Sequence, residues 1–494
     1  MTELSELPAE LLAALPANRG LYYGGTWHEA LSGETIDIVS PASQESLGKV
    51  AWADHADVDA AATAAYKGYL AWRKVKPLER ASIVRQAATV MRAHRHELAL
   101  IDAADCGNPV RELVKDVDLA VAVMEYYAGL ATEIKGETMP MGDGVLNYTL
   151  REPLGVIARI SAFNHPLLFA GMKLAAPLVA GNAVIIKSPD QAPLSSLRLA
   201  ELLGPLFPPG VFTVLSGGRS CGEALVSHPL VAKIGLIGSA PTGRAILHGA
   251  ADQMKRVSLE LGGKNALIAY SDTEPAKVAQ GIIRGMNFAW CGQSCGSTSR
   301  AFVHVSIYET VLAHLKQAAE AVRAGLPTVD ETEMGSLISH QHYDKVMGYI
   351  AAGKAEGARL VTGGKRPDDP ILSRGYYVLP TIFADVKPTM RIAREEIFGP
   401  VLSVFSWEDE AAMLEAVNDV EYGLTAAVWT SNLATAHRVA SEVQAGYVWI
   451  NNSSMHFLGA PFGGYKQSGL GREESIEELL DCTQTKNVNV TLNP

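Results

Sequence analysis

The sequence predicts an α/β protein whose main sheet is parallel and covered by helices on both faces, followed by a second α/β region. Three observations carry this. From residue 155 onward, short apolar strands alternate with helical stretches. The strands GVIARIS, AVIIKSP, GVFTVLSG and KIGLIGS show no in–out alternation, which marks strands buried on both faces. The chain has 494 residues, 48% of them hydrophobic, enough for a large core divided among several lobes.

The elements follow in order. The opening MTELSELPAELLAALPANRG has three Glu and no basic segment, so it reads as a short amphipathic helix and not a signal peptide. Residues 56–105 are Ala-rich at helical spacing and predict two long helices. Gly107-Asn108-Pro109 stops the second, and another helix runs to about residue 130. Gly136, Pro140, Gly142 and Gly144 punctuate residues 133–151 into a hairpin. The strand–helix alternation then runs to LELGGKNALIAYSD, where the second region begins. That region holds RAFVHVSI, YETVLAHLKQAAEAV, VLSVFSW, LTAAVWT, ATAHRVASEVQ and GYVWIN. The tail KNVNVTL alternates Val488, Val490 and Leu492; this strand, near 486–494, is expected to join the 135–153 hairpin in a small bridging element and to seek another subunit's sheet edge.

Composition narrows the partners. Lys and Arg total 42 against 53 Asp and Glu, a net charge of −11 that repels phosphate backbones. Nucleic acid and anionic membranes are therefore not expected as partners. Charged residues make up 19%, below the ~25% usual for soluble domains, which predicts apolar surface covered in a homodimer or homotetramer. Cys106, Cys221, Cys291, Cys295 and Cys482 are too scattered for a disulfide framework, so a reducing, cytoplasmic location is expected. Residues 167–186 are apolar enough to need a membrane check. Lys173, Pro177, Gly181 and Asn182 inside them predict a buried helix, a turn and a strand instead.

Four groups of residues can carry chemistry. Cys295, in CGQSCGSTSR, sits among small residues that let a carbonyl approach its sulfur. A thiol becomes a nucleophile where dipoles or charge stabilise the thiolate; alone, the same residue reads equally as an inert buried thiol. Cys291 lies four residues earlier, but no His or second Cys pair stands at ligand spacing, so no metal is expected. Glu260, between two leucines at a strand exit, is poorly solvated, which raises its pKa toward that of a general base. It reads as readily as an edge residue before a tight turn. Asn164, in SAFNHP, follows a strand and offers an amide to an oxyanion, or caps the next helix. The last group is cofactor-like. No GxGxxG occurs, but a strand leads through Gly238-Ser239 into a helix N-terminus able to hold a pyrophosphate. The spacing GSAPTG resembles a P-loop, yet Arg244-Ala245 follows where Lys-Ser/Thr is required, which disfavours a nucleotide triphosphatase. Lys187 and Asp190, ending another strand, are placed to grip a ribose.

FNHP, LELGGKN, GQSC, EEIFGP and PFGGYKQSGLGRE occur in that order from about residue 20 to the C-terminus. Together they resemble the aldehyde dehydrogenase superfamily. The resemblance implies a Rossmann-like cofactor domain without GxGxxG, an α/β catalytic domain and a small β bridging element used in oligomerisation. It implies that Cys295 attacks an aldehyde to form a thiohemiacetal, with Asn164 and the Cys295 N–H stabilising the oxyanion. Hydride transfer to NAD would leave a thioester that water, activated by Glu260, hydrolyses. Glu473 and Lys173 match a carboxylate and a lysine that relay protons. Lys187, Asp190, Gly218, Gly222, Gly238, Ser239, Glu396 and Phe398 match cofactor contacts.

The sequence also departs from the family pattern. Asp190 stands where the family usually has Glu, a shorter acid that keeps NADP open beside NAD. His165 replaces a common Phe or Tyr beside Asn164. By position the substrate pocket should comprise His165, Phe169, Met172, Ser294, Gly296, Ser454, His456 and Phe462. With no arginine to clamp a carboxylate, that set predicts a neutral aromatic or medium aliphatic aldehyde. The expected domains are cofactor-binding over 1–130 and 154–262, catalytic over 263–467, and bridging over 131–153 and 468–494. Two alternatives stand beside the hydrolytic reading: a CoA-acylating aldehyde dehydrogenase, whose relatives typically lack the Glu base, and a non-enzymatic scaffold.

Overall fold

A computed structural model describes residues 7–492. Its first sheet has eight strands, in the order Thr26–His28, Leu21–Tyr23, Phe212–Leu215, Ala183–Lys187, Val156–Ile160, Val231–Ile237, Arg256–Glu260 and Gly469–Leu470. The middle five are parallel, as their unalternating apolar sequences predict. Strand order reverses between Val156–Ile160 and Val231–Ile237, which opens a crevice at the strands' carboxyl ends. A second sheet of seven strands runs from Arg359–Thr362 at one edge through Thr381–Ala384, Val401–Trp407, Arg300–His304, Ala266–Ala269 and Thr425–Trp429 to Tyr447–Ile450. All of its pairings are parallel except that of Arg359–Thr362.

The apolar stretch at 167–186 is a buried helix, Pro166–Ala180, then a turn and the strand Ala183–Lys187. Gly181 closes the helix at φ +95°, a conformation glycine adopts freely. Asn182 fixes the turn by accepting from the Gly155 N–H at 2.9 Å. Among the described residues no helix is long and apolar enough to cross a membrane.

One expectation needs correction, the number of helices. Residues 56–105 hold three helices, not two: His55–Trp72, Pro77–Ala93 and Arg95–Cys106. Pro77 starts the second, its fixed φ suiting a first helical position, and His94 breaks the third from it. The tail strand, Thr483–Thr491, pairs antiparallel with Val145–Pro153 of its own chain, leaving its other edge open. Gly469–Leu470, expected in the bridging element, joins the first sheet through Leu259 and Glu260. Of the opening amphipathic helix, the structure gives Ala9–Ala14, and residues 1–6 lie outside the described residues.

Candidate active site

The first sheet's strands deliver side chains to one place. Asn164 follows Val156–Ile160, Lys187 ends Ala183–Lys187, Gly238 and Ser239 follow Val231–Ile237, and Glu260 ends Arg256–Glu260. With Asp190, Gly218, Gly222, Cys295, Glu396 and Phe398 they line a single cavity of about 900 Å³. These residues span more than two hundred positions of the chain, and the switch point of the first sheet collects those that follow its strands.

Cys295 occupies the turn before the strand Arg300–His304. Asn265 pins that turn. Its side-chain amide donates to the carbonyls of Cys295 (2.6 Å) and Ser297 (3.0 Å), while its Oδ1 accepts from the Thr425 N–H at 3.0 Å. The Cys295 sulfur meets the Glu260 carboxyl and the Gly296 N–H. Burial, then the facing Glu260, pushes the thiol well above its usual range. Burial, then the Glu473 carboxylate, pushes Glu260 well up as well. The charged groups acting most on the Cys295 thiol are carboxyls, Glu260 first and then Glu396. One Glu260 oxygen, Oε1, is buried without a partner.

Asn164 is 3% exposed, and its main-chain carbonyl accepts from Asn108 Nδ2 at 2.8 Å, which fixes its place. Among the described residues neither its side-chain amide nor the Cys295 N–H donates a hydrogen bond. Both donors are free.

Behind Glu260 lies a buried charge cluster. Lys173 Nζ stands 2.6 Å from Glu473 and 3.8 Å from Glu478; Arg159 stands 3.0 Å from Glu478. Tyr127 Oη donates to Glu478 at 2.7 Å. Burial opposes the charge of Glu478, but Lys173 and Arg159 hold its carboxyl down to about 2. The sequence points to Lys173 and Glu473 but not to Arg159 and Glu478. An arginine inside the apolar strand GVIARIS was the signal for the first; nothing in SIEELL marked the second.

The cluster gives a stability prediction. Glu478→Gln leaves two buried cations facing one carboxylate and is expected to cost about 3–5 kcal/mol, read as a lower urea midpoint at neutral pH. The wild-type carboxyl lies below its ordinary 4.5, so its contribution is complete above that pH and is lost as pH falls toward about 2. The gap between the two proteins should close across that window.

On the cofactor side, Glu396 accepts from the Gly263 N–H at 2.9 Å, and a Cβ on Gly262 would overlap its carboxylate. Phe398 holds a left-handed backbone at φ +57°. The His342 Nε2–H donates to its carbonyl at 2.6 Å, and burial lowers the His342 pKa to about 4, which keeps that ring neutral. Lys187 and Asp190 pair with each other. His342 and Lys345, which line the same cavity, were missed; no local pattern in ISHQHYDKV distinguishes them from a solvated helix face.

The expected substrate residues are less uniform. His165 caps the helix Pro166–Ala180, with Phe169 and Met172 buried one and two turns on. Phe462 is buried, and its N–H and carbonyl pair with Glu473. His456 bonds Glu474 at 3.0 Å, and Ser454 holds φ +58°. Gly296 accepts from Thr425 Oγ1, and Ser294 lines a small second cavity with Glu396 and Phe398.

The model of the aldehyde dehydrogenase family matches residues 27–488. The chain belongs to the aldehyde dehydrogenase family. Among its relatives, aldehyde dehydrogenase tropH of Talaromyces stipitatus is 48% identical over 487 residues, 97% of this chain and 94% of that protein. The NAD+ complex of an aldehyde dehydrogenase from Bacillus cereus superposes with a TM-score of 0.95 at 38% identity, covering 99% of each chain. Betaine aldehyde dehydrogenase from Staphylococcus aureus, also solved with NAD+, gives a TM-score of 0.95 at 34% identity over 98% of this chain and 96% of its own. These likenesses make this aldehyde dehydrogenase an α/β enzyme of the same architecture.

Proposed function

We propose that this aldehyde dehydrogenase oxidises an aldehyde to its carboxylic acid with NAD+, through an acyl group held on Cys295 and released by water. The observation that carries the reading is the shared cavity. One wall holds a thiol against a buried carboxyl, and the other holds Glu396 and Phe398.

The residues fit NAD+. Ser239 opens the helix Ala240–Ala251 at the cavity, its hydroxyl accepting from the Thr242 N–H, and that helix N-terminus suits a pyrophosphate. A Cβ on Gly222 would meet open space, so the wall has room at that point. Lys187 and Asp190 suit the adenosine ribose, and the Glu396 carboxylate suits the hydroxyls of the second ribose. When bound, NAD+ supplies the acceptor for the aldehyde hydride. Asp190 is a weak guard against a 2′-phosphate, so NADP stays in scope. The relatives solved with NAD+ support the first choice.

Glu260 takes the Cys295 proton and hands it on to Glu473, which restores its carboxylate, and the sulfur attacks the carbonyl carbon. The Asn164 amide and the Cys295 N–H then hold the oxyanion; removing one such donor typically costs about 10²–10³ in rate. Once the thioester has formed, the unpartnered Glu260 Oε1 orients a water and accepts its proton as the water attacks. Glu473 and Lys173 pass that proton outward along the buried cluster. The five unpaired cysteines support a cytoplasmic home, and the open edge of Thr483–Thr491 supports a homo-oligomer.

The test is NADH formation with and without CoA. The expected rate is the same in both, with free acid as product. A strict CoA requirement with acyl-CoA as product would replace the hydrolytic half.

A further inference from the structure

Asn164 and Cys295 line one cavity but reach it from different sheets. Asn164 follows Val156–Ile160 of the first sheet, and Cys295 precedes Arg300–His304 of the second. Their spacing therefore depends on how the two sheets are joined. The helix stop Gly107-Asn108-Pro109, between Arg95–Cys106 and Val110–Gly129, lies at that join. Connecting loops normally run over the surface, where water serves their polar groups. All three residues of this one are buried, and its polar groups find partners in two directions.

On one side the loop holds the oxyanion donor. Asn108 is 0% exposed, and its Nδ2 donates to the Asn164 carbonyl at 2.8 Å. Only the nitrogen end of an amide can donate to a carbonyl, so the side chain has one usable orientation. The flanking helices add two more contacts. Asp102 accepts from the Leu167 N–H at 2.9 Å, and Asp116 meets His165 Nδ1 at 2.6 Å. Residues 164–167 are thus held by side chains from one short stretch of chain, and the Asn164 amide stands on them.

On the other side the loop meets the segment 327–338. The Gly107 carbonyl accepts from the Ser336 N–H at 3.0 Å, and the Val110 N–H donates to the Pro327 carbonyl at 2.8 Å. A Cβ on Gly335 would overlap the Gly107 carbonyl oxygen, so the two backbones touch with nothing between them. Gly107 sits at φ +87° and Pro109 has its φ fixed by its ring, which leaves the loop few other shapes. From the same segment the Ile338 N–H donates to Gln293 Oε1 at 3.1 Å. Gln293 is 0% exposed and stands two residues before Cys295.

We propose that Asn108 is a positioning residue: the Gly107-Asn108-Pro109 loop ties the Asn164 amide to the Cys295 turn and sets the spacing between oxyanion donor and nucleophile. The proposal rests on the reading above in which Asn164 holds the oxyanion. Asn108 is absent from the cavity wall and acts through the Asn164 main chain. A donor displaced by about 1 Å can cost about 10²-fold in rate, although every reacting group is still present.

The test is single-turnover NADH formation, with enzyme in excess over the fastest aldehyde of an aromatic and aliphatic panel. Asn108→Ala should slow it about 10–100-fold, and Asn108→Ser, a milder truncation that guards against an Ala variant that fails to fold, should slow it less. Two readouts that do not use the oxyanion site should stay within about twofold: NAD+ quenching of protein fluorescence and alkylation of Cys295 by iodoacetamide. Added to Asn164→Ala, the Asn108→Ala change should cost less than about threefold, because its route of action is already gone. Single turnover within about threefold of the wild type in both variants would overturn the proposal. So would a loss shared equally by quenching and alkylation, or one that adds in full to that of Asn164→Ala. Asn164→Ala at the wild-type rate, or no NADH from any aldehyde, would overturn the reading beneath it instead.

Discussion

Cys295→Ala is expected to abolish aldehyde-dependent NADH formation, burst and steady state alike, by at least about 10³-fold. No other sulfur can substitute. Cys291 is buried in a left-handed turn with its thiol pushed up by burial, and Cys106, Cys221 and Cys482 are buried and absent from the cavity wall. Asn164 and Glu260 would remain, but neither can replace the sulfur as the nucleophile that holds the acyl group. Stopped-flow absorbance at the NADH band reads the result, and unchanged NAD+ quenching of protein fluorescence would show that the site still assembles. Residual turnover within about tenfold of the wild type would remove the covalent step.

Glu260→Gln should separate the two halves of the reaction. The amide cannot accept a proton from water, so the steady-state rate should fall about 10²–10⁴-fold. The first half is spared in part for a physical reason. Glu260 is itself one of the groups holding the Cys295 thiol high, so its neutral replacement eases ionisation of that thiol. A burst of one NADH per subunit, slower at neutral pH and recovering as pH rises, is the expected trace. Linear formation at the wild-type rate would assign the base elsewhere.

Much of this site is legible in the sequence, for a local reason. Strand-end residues such as Asn164, Lys187 and Glu260 are set by short apolar strands, and a parallel sheet brings strand ends together whatever lies between them. The residues that escape notice act through long-range pairing. Asn265 reaches the Cys295 turn and Thr425 at once, and Glu478 becomes part of the site only because the chain returns to Lys173 and Arg159. The tail shows the same limit. Its alternation identifies a strand that belongs with the 135–153 hairpin, but only the fold gives the register, from Thr483 opposite Pro153 to Thr491 opposite Val145. The thiol's surroundings are a further case: small neighbours in CGQSCGST describe access, while the carboxyl that faces the sulfur lies thirty-five positions away.

The most direct measurement is the mass of the Cys295 peptide from Glu260→Gln protein quenched in acid after mixing with aldehyde and NAD+. The account predicts one acyl group on that peptide in nearly every subunit, formed only when NAD+ is present and absent from Cys295→Ala. An unmodified Cys295 peptide after a completed NADH burst, or an acyl group on a different residue, would contradict it.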